Sequence, residues 1–492
     1  MPLNRGGPSG GDWITTGVPG LDRVLCGGLR RGAVHVVVGE PGTGKTVLAH
    51  QIASHRVREG GTVLYLTLMV ESQETLVKQA RGFSFFDPSQ IGRGLYYGSA
   101  LGAVQRSGAE GLWREIVSLV EDRGPELLVL DGAHTLRILD VSVTEYFQFF
   151  SDLGVQASLT GMTALALFAH VKPEAGLSEL AVPDGVLRLG TEEHGLRVVR
   201  RFAVEKMRSG TPVLGWHAMT IDSDGIRIYP RIEAMPGEEP LRQASEAPHP
   251  MRFGIAGLDA MLGGGVPSAS VTLVAGSPGA GKTVLGLAFL ATGAEEGEPG
   301  LYFGFHETPD HLIAKAENVG IRLRRHVERG AVRLLRRPAV EMLPDAVAQV
   351  VLDSVEECGA RRVVVDGLDA LRQTFTYPGR EIPFLAALSD LLRARGIGAV
   401  YAQEIRRGGP GGIEFPVAGM SRIVDNVLVV RYLEARSRLR RILTIMKMRE
   451  QEYDITTREF RITGQGIEVD GIFDPSIEPF PAADRPGPTE SV

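Results

Sequence analysis

Two octapeptides carry the most legible chemistry in this chain. Gly39-Glu40-Pro41-Gly42-Thr43-Gly44-Lys45-Thr46 and Gly276-Ser277-Pro278-Gly279-Ala280-Gly281-Lys282-Thr283 both fit G-x-x-x-x-G-K-[ST]. In such a loop the glycines lack the Cβ atoms that would obstruct a phosphate, so backbone N–H groups can curl round it. The lysine reaches the β- and γ-phosphates, and the threonine hydroxyl ligates Mg²⁺. One nucleoside triphosphate is therefore expected on Gly39, Gly42, Thr43, Gly44, Lys45 and Thr46. A second is expected on Gly276, Gly279, Ala280, Gly281, Lys282 and Thr283.

Other residues have types and places that suit phosphoryl transfer. Asp131 and Asp366 end apolar strands, where a carboxylate is costly without a partner. After a phosphate loop, that carboxylate is expected to hold Mg²⁺ with Thr46 or Thr283. Glu71 and Glu307 follow the second strand of each half and could orient or deprotonate an attacking water. Thr308-Pro309 also reads as a helix cap, so Glu307 could simply precede a helix. Lys206 with Arg208, and Lys447 with Arg449, sit two apart in strand-like segments and so share a face. Such a pair is either a solvated basic face or a set of fingers reaching a neighbour's phosphate. The run Arg406-Arg407-Gly408-Gly409-Pro410-Gly411-Gly412 reads as a mobile surface loop that could also follow a nucleic-acid backbone. His170 and Gln403 end corresponding strands and are weak candidates for sensing a γ-phosphate.

The elements that position these residues occur twice. Gly17-Val18-Pro19-Gly20-Leu21-Asp22 precedes the first loop, and Gly254-Ile255-Ala256-Gly257-Leu258-Asp259 precedes the second. Strands Val34 to Val38 and Val271 to Ala275 enter the loops. Amphipathic helices Thr46 to Arg58 and Thr283 to Glu295 leave them. The glutamates, strand-end aspartates and Lys-Met-Arg triplets recur at nearly constant separation. The period is a whole domain, far longer than solenoid units of about 20–50 residues. Strands alternating with helices predict an α/β fold, with mostly parallel central sheets. The expected domains are 12–234 and 251–473. A Pro-rich linker spans 235–250, and disordered ends span 1–11 and 474–492.

Composition narrows the class. With 492 residues, each half can bury a real core. Hydrophobic content of 43% and charged content of 23% indicate a soluble globular chain. A net charge of -6 argues against a surface coated with nucleic acid, which is not the favoured partner. Cys26 and Cys358 offer neither zinc spacing nor a disulfide framework, which fits a reducing cytoplasm. No signal peptide and no apolar run of about 18 residues is read, so no membrane partner is expected.

Taken together, these motifs resemble the KaiC family, within the wider RecA/RadA group of ATPases. The resemblance covers about 12–233 and 251–473. It implies two tandem RecA-like P-loop NTPase domains that bind ATP and Mg²⁺. It also implies a homo-oligomer, a stacked hexameric ring with ATP between subunits. Lys206, Arg208, Lys447 and Arg449 would then act in trans, catalytically with Glu71 and Glu307. The expected activity is ATP hydrolysis driving a signalling or regulatory switch towards an unidentified protein partner. The alternatives are a clock-type serine/threonine autokinase and a RadA-like, nucleic-acid-dependent ATPase. Two features depart from the family pattern. The usual adjacent glutamates read Val70-Glu71 and His306-Glu307. The Ser-Thr phosphoacceptor pair reads Ser421-Arg422, which argues against a two-site phosphorylation cycle.

Overall fold

The structure is a computed structural model describing residues 12–69, 73–139, 141–169, 181–208, 210–235, 249–340, 342–405, 419–435 and 438–473. Glu71, His170, Arg406 and Arg407 lie outside the described residues, as do most of the expected linker and both expected disordered ends. The chain divides into two compact units, Met1–Met235 and Pro236–Val492. No helix among the described residues is long and apolar enough to cross a membrane.

In the first unit, the described residues form a nine-stranded sheet. Its order is Gly225–Tyr229, Trp216–Asp222, Arg197–Met207, Gly185–His194, Val34–Gly39, Thr163–Ala169, Leu127–Asp131, Val63–Thr67 and Leu95–Ser99. Pairing is parallel from Gly185–His194 to the Leu95–Ser99 edge and antiparallel on the other side. The second unit repeats the order: Gly466–Ile472, Arg458–Thr463, Arg438–Lys447, Asn426–Ala435, Val271–Gly276, Gly398–Glu404, Arg362–Asp366, Gly300–Gly304 and Val332–Arg336. Its parallel half again contains the strand that enters the phosphate loop.

Parallel strands covered on both faces read as continuous apolar runs, and Val34–Gly39 and Val271–Gly276 are buried throughout. Side-chain alternation then sorts each strand between two cores. In the first unit, Val37, Tyr65, Val129, Leu165 and Leu167 pack with Leu48 and Ile52 of the helix Lys45–Arg58. Val36, Val38, Leu128, Leu130, Ala164 and Ala166 face the other way, onto helices Leu101–Arg123 and Val143–Thr160. In the second unit, Val274, Tyr302, Val364 and Val400 take the loop-helix side, against Leu285 and Phe289 of Lys282–Glu295.

The G-x-x-G-L-D motifs brace the start of each unit. Asp22 accepts from Thr16 N (3.0 Å) and Thr16 Oγ1 (2.6 Å), and Asp259 accepts from Phe253 N (2.7 Å). Their repetition is explained by this turn.

Candidate functional site

Both phosphate loops are built alike. Each strand ends at the first loop glycine, Gly39 or Gly276, and each helix begins at the lysine. The helices therefore start one residue earlier than the sequence pattern suggested. Gly44 and Gly281 precede them with φ of 106° and 115°, a left-handed conformation that favours glycine. A Cβ on Gly281 would also lie 2.8 Å from Ile462 and 2.9 Å from Phe460. Thr43 and its counterpart Ala280 are buried inside the loops, and the Thr43 hydroxyl donates to Glu40 O (2.8 Å).

The lysines arch back over the loops. Lys45 Nζ donates to Gly39 O and Glu40 O, each at 2.8 Å. Lys282 Nζ donates to Gly276 O (2.9 Å) and Ser277 O (3.0 Å). Burial pushes both ammonium pKa values down. Asp131 and Glu40 oppose this at Lys45, while Glu404, Asp366 and Asp369 oppose it at Lys282. The helix N-terminus and the lysine thus concentrate positive potential where an anionic phosphate would lie.

Beside each lysine, the threonine meets the strand-end aspartate. Thr46 Oγ1 donates to Asp131 Oδ2 (3.1 Å), and Thr283 Oγ1 donates to Asp366 Oδ2 (2.6 Å). Alternation explains the meeting: Asp131 shares a face with Leu127 and Val129, and Asp366 shares one with Val364. A hydroxyl and a carboxylate form a hard-oxygen donor set that fits Mg²⁺. The same carboxylate oxygens also accept from Tyr65 OH (2.7 Å) and Tyr302 OH (2.8 Å). Sequence reasoning missed these tyrosines. Their signal was available in the strand parity of Val63–Thr67 and Gly300–Gly304.

This lysine–loop, threonine–aspartate–tyrosine arrangement recurs in both units. A family model described as ATPase: KaiC matches residues 14–233 and 251–472. The chain belongs to the KaiC ATPase family. It is 27% identical to the circadian clock protein KaiC3 of Synechocystis sp., over 93% of this chain and 91% of that protein. It is 26% identical to the circadian clock oscillator protein KaiC of Picosynechococcus sp., over 96% and 92% of the two chains. It is also 25% identical to KaiC of Rippkaea orientalis, over 94% and 89%.

Beyond this shared frame, the second unit's site is an open cavity of about 600 Å³. Lys282, Thr283, Tyr302 and Asp366 line it with His306, Glu307, Lys315, Asp369 and Glu404. The helix-entry reading of Glu307 is met locally. Thr308 caps the helix Pro309–Glu317 by accepting from His311 N (3.4 Å), and Pro309 follows the cap. Glu307 lines the cavity and is ion-paired with Lys315, one helical stretch away.

Gln403 departs from the expectation of a phosphate sensor. Its neighbours Ala402 and Glu404 line the cavity, while Gln403 is not among the lining residues. The reason is the period of a strand: Val400, Ala402 and Glu404 share the loop-helix face, and Gln403 takes the other. The pairing Gly39↔Ala169 and Gly276↔Glu404 also makes Phe168 the counterpart of Gln403, in place of His170.

The Lys-Met-Arg triplets occupy another part of each unit. Strands Arg197–Met207 and Arg438–Lys447 stop before Arg208 and Arg449, so only the lysines of these pairs are on strands. A register shift lies opposite each triplet, between Val186 and Leu187 and between Val427 and Leu428. Such bulges re-aim the chain that follows. Lys206 Nζ donates to Ala181 O (2.6 Å) and Pro183 O (2.8 Å), and Arg208 donates to Ala181 O (2.9 Å). Lys447 Nζ donates to Ser421 O (2.5 Å) and Val424 O (2.7 Å), and Arg449 donates to Arg422 O (2.9 Å). Neither Lys447 nor Arg449 lines the second unit's cavity. Asp184 and Asp425 tie each triplet to its loop strand. They accept from Val34 N (3.0 Å) and Val271 N (2.9 Å) and lie 3.8 and 3.6 Å from Arg208 and Arg449.

Proposed function

We propose that the chain binds ATP with Mg²⁺ at both phosphate loops and hydrolyses it, as a nucleotide-driven switch within a homo-oligomer. The observation carrying this reading is the duplicated contact of Thr46 with Asp131 and Thr283 with Asp366, each beside a loop lysine. Thr46 with Asp131, and Thr283 with Asp366, would hold Mg²⁺, which supplies charge neutralisation at the phosphates. Lys45 and Lys282 bind the β- and γ-phosphates, and the loop N–H groups orient them. Glu307, and Glu71 in the other half, orient the attacking water.

Lys206, Arg208, Lys447 and Arg449 are proposed to reach the phosphates of a neighbouring copy, in a ring of six. Their absence from their own unit's cavity lining supports that direction for the second pair. The proposed setting is the cytoplasm, with a protein partner. The two domains are proposed as 12–234 and 251–473. One second reading is serine autophosphorylation at the exposed Ser421, the serine kept at the expected phosphoacceptor position. Incubation with γ-labelled ATP and peptide mapping tests it, and an unlabelled Ser421 removes it.

The main reading is tested with Lys45→Ala and Lys282→Ala, singly and together. Each single variant is expected to lose one ATP equivalent, and the double variant to lose binding and turnover. Steady turnover in the double variant would refute the assignment.

A further inference from the structure

The two loop sites differ at one point that the repeat otherwise holds constant. After the strand-end aspartate, a side chain reaches across to the neighbouring strand's end and accepts its backbone N–H. In the first unit His134 Nδ1 accepts from Ala169 N (3.4 Å). In the second, Asp369 Oδ2 accepts from Glu404 N (2.9 Å). The strand ends held this way are themselves equivalent, since Ala169 pairs with Gly39 and Glu404 pairs with Gly276. The first site thus has a methyl group where the second has a carboxylate.

From these placements we infer that Glu404 is a catalytic carboxylate of the second unit's site, the one that takes the proton of the water that Glu307 orients. The inference rests on the proposed ATPase reading and deepens it. Glu404 lies on the loop-helix face of Gly398–Glu404, with Ala402 and Val400, so its side chain enters the cavity that holds Lys282, Thr283 and Asp366. Its backbone is fixed on both sides. Asp369 holds its N–H, and Ile405 N donates to Gly276 O (3.1 Å) at the first loop residue. Its charge is felt at Lys282, the residue assigned to the β- and γ-phosphates.

The other cavity glutamate is less free to act as a base. Glu307 is engaged by Lys315 in an ion pair that ties its carboxylate to the helix Pro309–Glu317. The position before it is His306. In the step, the water oxygen bonds to the γ-phosphorus as that phosphorus parts from the oxygen bridging it to the β-phosphate. The bond's electron pair leaves with ADP, and the water proton passes to the Glu404 carboxylate. Ala169 cannot do this, so the two sites are expected to turn over unequally, the second faster.

The test uses the full chain carrying Lys45→Ala, so that turnover reports the second site. Binding of a fluorescent ATP analogue and single-turnover hydrolysis are measured with Mg²⁺. Adding Glu404→Gln is expected to leave binding within about threefold and to slow turnover by about 100-fold or more. Adding Glu307→Gln gives the comparison. If Glu404→Gln hydrolyses within about threefold of its parent, or faster because a repelling charge is gone, the inference is overturned and the ATPase reading stands. If the Lys45→Ala parent binds ATP but does not hydrolyse it, hydrolysis at the second site fails and the inference falls with it. Glu404→Asp separates reach from charge. It should recover part of the loss, whereas an Asp variant slower than the Gln variant would assign the effect to side-chain size and overturn the inference.

Discussion

Arg362 opens the strand that ends at Asp366, and its side chain is 0% exposed. Its guanidinium donates to Glu298 (2.5 Å), Glu296 (2.7 Å), Arg252 O (2.6 Å) and Phe289 O (2.9 Å), and lies 4.6 Å over the Phe289 ring. One side chain therefore ties the strand Arg362–Asp366 to the far end of the loop helix. Gly293 of that helix leaves the room, since a Cβ there would sit 2.3 Å from Arg362 Cδ. Arg362→Met keeps most of the apolar stem and removes the charge and its donors. Breaking a buried ion pair costs about 3–5 kcal/mol when the remaining charge is stranded. Here Glu296 keeps Arg252 (2.5 Å), Glu298 keeps His249 (2.7 Å), and both stay partly exposed. The stranded groups are mainly two carbonyls, so the expected loss is near the lower end, about 3 kcal/mol. All three tryptophans, Trp13, Trp113 and Trp216, lie in the first unit, so their fluorescence is insensitive to this change. Hydrogen exchange of the peptide spanning Arg362–Asp366 reads the second unit directly. A loss below about 1 kcal/mol there, or an equal loss in the first unit's strands, would refute the reasoning.

Two further outcomes follow from the same geometry. His35 is fully buried on the first loop strand, and burial depresses its pKa to about 4. Its folded-state pKa lies below the unfolded value, so its contribution is complete above about pH 6.5 and is lost as pH falls towards 4. The size is roughly 3 kcal/mol for a shift of this kind. His35→Thr, the residue found at the equivalent Thr272, should flatten that part of the urea stability profile read by tryptophan fluorescence; an unchanged slope would count against it. Lys447→Ala with Arg449→Ala should keep ATP binding and lose about 10³-fold or more in second-site turnover. Mixing this variant with Lys282→Ala chains should restore part of the rate, because one supplies the loop and the other the cations. Absence of rescue in mixed assemblies of confirmed composition would place the cations in cis.

The sequence by itself determined the loops, the repeat and the fold class, because each is a local pattern. Glycines at fixed spacing, an apolar run and a strand-end carboxylate are dictated by near neighbours along the chain. The family likeness followed from the same patterns, and the match over 14–233 and 251–472 agrees with it. Tertiary structure decided what those patterns could not reach. Strand parity turned Gln403 away from the cavity and Glu404 into it, a one-residue difference that reverses a face. Register across the sheet made Phe168, not His170, the counterpart of Gln403, and Ala169 that of Glu404. Tyr65 and Tyr302 joined the aspartates from strands more than sixty residues away in sequence. Lys315 reached Glu307 from the next helix, so the partner of that glutamate is set by packing. Local spacing names the groups that can do phosphoryl chemistry, and long-range pairing selects which of them share one cavity.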